Sequence, residues 1–463
     1  MALLSVLMKQ LLQPFTETSE IYNPLSISLL LLILLLTLLL GTLPHRSLKA
    51  LSERYGALMF VYFGNSPTLV VSSAELAGEM FKTHDIVTSN RPKTTPANIL
   101  LYECRDIGFA NYGEYWRKVR KICVLELLSL RRVQSFQHIR DDEVSSLINK
   151  IRHLCFNKGR PLNLTEMLLT VSNNIVSRCV LGRKADEEEK NIGKSNKFGD
   201  VFPSFGWLDV LSGLIGRLNT TARALDALLD EVIEEHTNKA ASESNDDDNQ
   251  LDKKDFVDIL LQLRKDGMLV AELSQDNLKA IILDMFVAGT DSTTTTLEWA
   301  MAELVKNPTS MKRAREEVRS VAKGKLNINM KEIEKMEYLK CVVKETLRLH
   351  PPAPLLLPRE IAESLKWRGY DIPSKTRVIV NAYGQFKGIP KVGTSQKISF
   401  QTGQDFQFIP FGAGRRGCPG MSFALATVEY VIANFLYWFD WNLPLGEVEE
   451  NLDMSEVKWA SGS

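Results

Sequence analysis

Phe411-Gly412-Ala413-Gly414-Arg415-Arg416-Gly417-Cys418-Pro419-Gly420 sets one cysteine in a glycine-rich turn, with two arginines behind it and a long apolar run ahead. Such a setting suits a metal-bound thiolate, which needs backbone N–H donors and positive potential; a helix N-terminus supplies both. Pro419 suits the first helical position, where its missing N–H would have had no partner. Gly412, Gly414 and Gly420 let the chain turn sharply and come close to a flat cofactor. Met421 to Phe439 is apolar on most faces, which predicts a buried helix. A lone cysteine is ordinarily a small buried hydrophobe; only its ten-residue context argues otherwise.

The spacing Phe-x-x-Gly-x-Arg-x-Cys-x-Gly closely resembles the haem-binding signature of the cytochrome P-450 family. The resemblance implies a mainly α fold with a small β portion and haem b (iron protoporphyrin IX) as cofactor. It implies Cys418 as the axial thiolate, the ligand type that pushes electron density toward O–O cleavage. Arg416 would then meet a haem propionate, Phe411 would pack near the sulfur, and Gly414 and Gly420 would shape the turn.

Leu283 to Leu304 has helical periodicity interrupted by Ala288-Gly289-Thr290-Asp291-Ser292-Thr293. Glycine inside a helix costs about 1 kcal/mol relative to alanine. On the residues alone, the hydroxyls bond back to carbonyls one turn earlier and bend the helix. Beside Cys418, the run resembles the oxygen-activation motif of the same family. That implies a groove for O2 at the small residues and a proton relay through Asp291, Ser292 and Thr293. The family's usual threonine is Ser292 here, which keeps a hydroxyl but loses the methyl that fixes its rotamer. Leakier oxygen activation is the expectation.

Glu345 and Arg348 are three apart, so on a helix their side chains meet. They read either as a surface pair of little worth or, by resemblance to Glu-x-x-Arg, as a buried structural lock on the proximal side of the haem. Trp116 and Arg120 resemble the family's Trp-x-x-x-Arg helix, whose donors reach a propionate, and Arg359 resembles another propionate ligand. Arg117, Lys118, Lys121 and Arg415 are either a docking face for an acidic reductase or a solvated charged face. The resemblance places Thr95, Ile99, Ile282, Phe286, Ala288, Ala353 and Leu357 around the substrate.

The 463 residues balance 56 basic against 56 acidic side chains, which gives no reason to expect nucleic acid. No repeat or low-complexity linker divides the chain, and the acidic stretch Glu243 to Asp248 reads as a solvated loop. Six cysteines without CxxC spacing argue against a disulfide framework or zinc site and for reduced thiols. The sequons at Asn163 and Asn219 are expected to stay unmodified.

Leu25 to Leu43 is apolar and uncharged, and at about 1.5 Å per residue it approaches the ~30 Å thickness of a bilayer's hydrocarbon core. Residues 1–24 are expected to be lumenal, 25–43 a transmembrane helix and 44–463 a cytosolic catalytic domain, because Arg46, Lys49 and Arg54 follow the apolar stretch. Met59–Phe63 and Thr68–Val71 around Gly64-Asn65-Ser66-Pro67 predict a β-hairpin. Helical spacing marks Glu75–Thr83, Asp142–Cys155, Thr221–His236 and Phe256–Arg264, and Arg377–Val380 predicts a short strand.

The resemblance is nearest to plant microsomal members that oxidise terpenoids, phenylpropanoids and related lipophiles at the endoplasmic reticulum membrane. It implies electrons from NADPH through NADPH–cytochrome reductase, with cytochrome b5 as a second donor. Three places depart from the family: no proline-rich hinge follows the anchor, Gly384 to Gln404 lacks the Pro-Glu-Arg-Phe segment, and Val457 to Ser463 stands where a terminal hairpin is expected. Two alternatives follow. One is a haem-deficient or mis-spliced inactive remnant; the other is a haem-thiolate isomerase or dehydratase, which Asp291 with its adjacent hydroxyl argues against.

Overall fold

Pro44 opens helix α1 (Pro44–Tyr55), at the position where a proline's missing N–H is harmless. The expected hairpin follows as β1 (Leu58–Phe63) and β2 (Ser66–Val71). Its loop is only Gly64-Asn65, with Phe63 opposite Ser66, so Ser66 and Pro67 belong to the strand rather than the turn. Pro67 is tolerated because β2 begins pairing on its other side only at Thr68. The structure, a computed structural model, describes residues 43–158, 161–184, 214–242, 254–267, 274–325, 328–383, 406–444 and 446–454.

Helices α2 (Ala74–Thr83) and α3 (Thr95–Leu100) start at Ser73 and Thr94, whose hydroxyls accept the Leu76 and Ala97 N–H groups. Next come α4 (Glu114–Ile122), which runs into a π-turn at Cys123–Leu127, then α5 (Gln137–Lys158) and α6 (Leu164–Leu181). They are followed by α7 (Leu214–Ser242), α8 (Phe256–Lys265), α9 (Gln275–Lys306), α10 (Pro308–Ala322) and α11 (Glu337–Leu349). Each expected helical window lies inside a helix of equal or greater length, because caps such as Asn163 and Asp255 set the ends and apolar spacing does not.

Short strands β3 (Arg359–Glu360), β4 (Leu365–Trp367), β5 (Tyr370–Ile372) and β6 (Arg377–Val380) precede the apolar helix α12 (Met421–Trp438). The main sheet has the order β1-β2-β6-β3, with β6 parallel to β2 in the register Leu69↔Val378. Mostly helix with minor sheet is therefore the observed class.

Helix α9 runs through the core against α6, α10, α11 and α12. It is unbroken from Gln275 to Lys306, so the Gly289 interruption expected from sequence does not occur. A Cβ at Gly289 would stand 3.2 and 3.3 Å from the Val176 methyls of α6, so the glycine permits a close helix crossing. The hydroxyls do bond back: Thr290 to Phe286 O, Ser292 to Ala288 O, Thr294 to Thr290 O and Thr296 to Ser292 O, at 2.8–3.0 Å.

Among the described residues no helix is long and apolar enough to cross a membrane. The anchor expected at 25–43 lies outside them save for Leu43, as do the acidic stretch at 243–248, the segment 384–404 and the tail 457–463.

Candidate active site

Gly412 and Gly414 take φ of +68° and +67°, which bends the chain back so that the Cys418 N–H donates to Phe411 O at 2.8 Å. Helix α12 starts at Met421 with Gly420 at its cap, so Pro419 precedes the helix and does not hold its first position. The reason is local: the Gly420 N–H points at the Cys418 sulfur. Burial pushes the Cys418 thiol up, against the pull of that N–H and of Arg120. Cys418 lines a cavity of about 1050 Å³.

Five arginines line the same cavity: Arg91, Arg120, Arg359 and Arg416, which are buried or half-buried, and the exposed Arg217. Arg416 donates to the carbonyls of Ser89 (2.8 Å), Ile107 (3.3 Å) and Ala110, with its guanidinium 4.3 Å from the Trp116 ring centre. Arg359 reaches Asp85 at 2.8 Å and Ala413 O at 2.9 Å. Arg120 donates to Gly417 O, the residue before the cysteine, at 2.6 Å. Trp116 was expected to offer a donor to the cofactor, but its one indole N–H donates to Ile107 O at 3.0 Å. The indole instead lies beneath Arg120 and Arg416 as a cation–π platform.

Burial lowers the proton affinity of Arg91, Arg120, Arg359 and Arg416, and repulsion from neighbouring guanidiniums adds to it for Arg91, Arg359 and Arg416; Arg416 falls to about 9, and Arg91 furthest of the other three. Asp85 and Asp106 oppose them. Arg91, Arg120, Arg359 and Arg416 outnumber Asp85 and Asp106, the carboxylates that oppose them, so the shell favours an anionic ligand. A ligand bearing two carboxylates suits that shell, while the Cys418 thiol in the same cavity offers a metal ligand. On charge and donor chemistry the residues fit the haem that the resemblance implies.

Of the expected pocket residues, Ala288, Ala353 and Leu357 line the cavity and Thr95, Ile99, Ile282 and Phe286 do not. On α3 the lining positions are Thr94, Pro96, Ala97 and Leu100, and Thr95 points to solvent. On α9 the cavity stripe centres on Asp284, Ala288, Asp291 and Thr295, the spacing of one helix face. Ile282 and Phe286 fall on the buried flank.

Asp291, Ser292 and Thr293 all reach the cavity. Burial raises the Asp291 carboxyl to about 6. The Ser292 hydroxyl donates to Ala288 O at 2.8 Å, and the buried Thr293 hydroxyl has no hydrogen-bond partner among the described residues. Glu345 and Arg348 form a two-point pair at 2.7 and 2.8 Å, half-buried rather than at the surface. The segment expected to supply a third partner lies outside the described residues.

Sequence reasoning missed Arg91, Asp85, Asp106 and Asp284. Arg91 donates to Gly108 O at 2.9 Å and to the Leu357 and Pro358 carbonyls at 2.7 Å. Asp85 bridges Arg359 and the Arg415 backbone. For Asp284 a signal existed: it stands two helical turns before Asp291, on the same face. For the others the sequence carries none, since burial of a charged side chain is not periodic.

A cytochrome P-450 family model matches residues 24–387 and 393–461. The phenylacetaldehyde oxime monooxygenase of Prunus mume is 49% identical over 442 residues, covering 90% of this chain and 83% of that one. Cytochrome P-450 71A1 of Persea americana is 46% identical, over 90% and 87% of the two chains. Costunolide synthase of Tanacetum parthenium is 42% identical, over 91% and 86%. A solved zebrafish cytochrome P-450 bound to progesterone superposes with a TM-score of 0.67 at 24% identity, covering 85% of this chain and 92% of that one; it shows the fold.

Proposed function

Because the chain belongs to the cytochrome P-450 family of oxidoreductases, we propose that it is a haem-thiolate monooxygenase acting on a lipophilic small molecule. One observation carries this reading: a single cavity joins Cys418, a cluster of arginines that outnumber the carboxylates opposing them, and an apolar lining. When bound through Cys418, haem iron activates O2 for insertion of one oxygen atom. The metal's charge would offset the burial that otherwise keeps the thiol protonated.

Arg120, Arg359, Arg416 and Arg91 would hold the propionates, with Trp116 positioning Arg120 and Arg416 from below. Phe411, which lines the cavity, would pack near the sulfur and limit water there. Asp291 would take up a proton from solvent and pass it toward the reacting oxygen through the Ser292 or Thr293 hydroxyl. Leu100, Ala288, Ala353 and Leu357 give the substrate apolar walls, suited to a terpenoid, a phenylpropanoid or a similar lipophile. The names of relatives such as costunolide synthase and desmethylyatein synthase support that range.

Electrons would come from NADPH through a membrane reductase, docked on the face carrying exposed Arg117 and Lys121. Residues 25–43 would anchor the chain in the endoplasmic reticulum, beside the exposed aromatics Tyr55, Phe60 and Tyr62. Labelled oxygen tests the reaction. In membranes containing the reductase, product should carry one atom from ¹⁸O₂ and none from labelled water. Product formed without O2 would favour isomerase or dehydratase chemistry.

A further inference from the structure

The loop from Asp106 to Ala110 has two differently charged sides. Its N–H groups face acids: the Asp284 carboxyl accepts from Ile107 at 2.7 Å and Gly108 at 3.1 Å, and Asp106 accepts from Phe109 at 2.7 Å. Its carbonyls face cations: Ile107 O accepts from Trp116 and Arg416, Gly108 O from Arg91, and Ala110 O from Arg416. The loop is therefore a bridge between an acid pair and the donors of the arginine shell.

We propose that Asp106 and Asp284 hold one proton between them and, as a positioning pair, fix this loop against α9 so that the arginines stand where the cofactor's carboxylates require them. Two touching buried carboxyls cannot both ionise at neutral pH. Burial and the charge of Asp106 raise Asp284 well above the ordinary carboxylate range, while burial takes Asp106 to about 6 against the hydrogen bond from Asp284, which makes Asp284 the proton holder. The second Asp106 oxygen is buried and has no other partner among the described residues, so it is placed to accept that proton. A Cβ at Gly108 would stand 3.0 Å from Asp106 and 3.7 Å from Asp284, so any other residue would push into the pair. The single remaining negative charge is one of the two that oppose Arg91 and Arg416.

This inference rests on the haem reading, and its test separates the two. A carboxamide can stand in for either acid, because one donor and one negative charge remain; it cannot stand in for both. Asp106→Asn, Asp284→Asn and the double variant are compared for amide exchange at residues 106–110 in the protein as purified, and for haem loss to a scavenging globin. Each single variant should stay within about threefold of wild type, and the double should be roughly tenfold faster on both measures, well beyond the sum of the singles. A single variant as fast as the double, or a double as slow as wild type, overturns the proposal. If the double does not fold, the singles still decide, because either one matching Asp284→Ala refutes a shared proton. A wild-type chain that takes up no haem refutes the proposed function instead, and the exchange measurement still judges the pair.

Discussion

At Asp291 the same burial that suits proton transfer works against stability. Its carboxyl is raised to about 6, so its contribution is favourable below the ordinary carboxylate range and is lost as pH rises through about 6. Asp291→Asn should therefore melt about 2 °C higher than wild type at pH 7 and no higher at pH 4, while turnover drops about tenfold or more as the proton donor is removed. Scanning calorimetry at both pH values and NADPH-driven product formation check the two halves. At the next residue, Ser292 donates to Ala288 O without the methyl that would lock its rotamer. Ser292→Thr should release less peroxide per NADPH consumed; an unchanged ratio would remove the leaky-relay account. Asp291 was legible in sequence because it sits in a motif. Arg91 and Asp85 were not, because their importance comes from partners far along the chain.

Among the elements, α9 was legible as a helix, with its small-residue run standing out as an interruption of the pattern. Gly289 looks like a defect in isolation and becomes a requirement only when Val176 of α6 lies 3.2 Å from its missing Cβ. Gly289→Leu should thus lower stability by about 1–3 kcal/mol through overpacking, despite leucine's better helix propensity; denaturant unfolding measures it. Which face of α9 meets the cavity was also hidden, because Asp284 and Phe286 are both compatible with the helical period and only the neighbouring helices choose between them. The cysteine turn behaves differently. At Gly414 a positive φ coincides with a Cβ position 2.6 Å from Asp85, so Gly414→Ala is doubly disfavoured. Its haem occupancy after purification should fall well below wild type, and equal occupancy would show that the turn tolerates distortion. The hairpin turn and Pro419 show the usual failure of sequence at boundaries, where hydrogen bonds to neighbours decide.

Across the whole molecule, the cavity gathers residues 91, 120, 284, 359, 416 and 418, with Asp85 held by Arg359, a gathering that no local pattern contains. The motifs named the chemistry and the fold class. The excess of guanidiniums over the carboxylates opposing them emerged only from the packed chain, and it is the physical reason a dicarboxylate cofactor suits the cavity. The central claim is that this chain holds haem through the Cys418 thiolate. The carbon-monoxide difference spectrum of the reduced protein tests it most directly, with Cys418→His as the reference for a nitrogen ligand. The account predicts the long-wavelength Soret band that thiolate ligation gives, lost in Cys418→His. A shorter-wavelength band in the wild type, or no haem band at all, would contradict it and leave an inactive relative in its place.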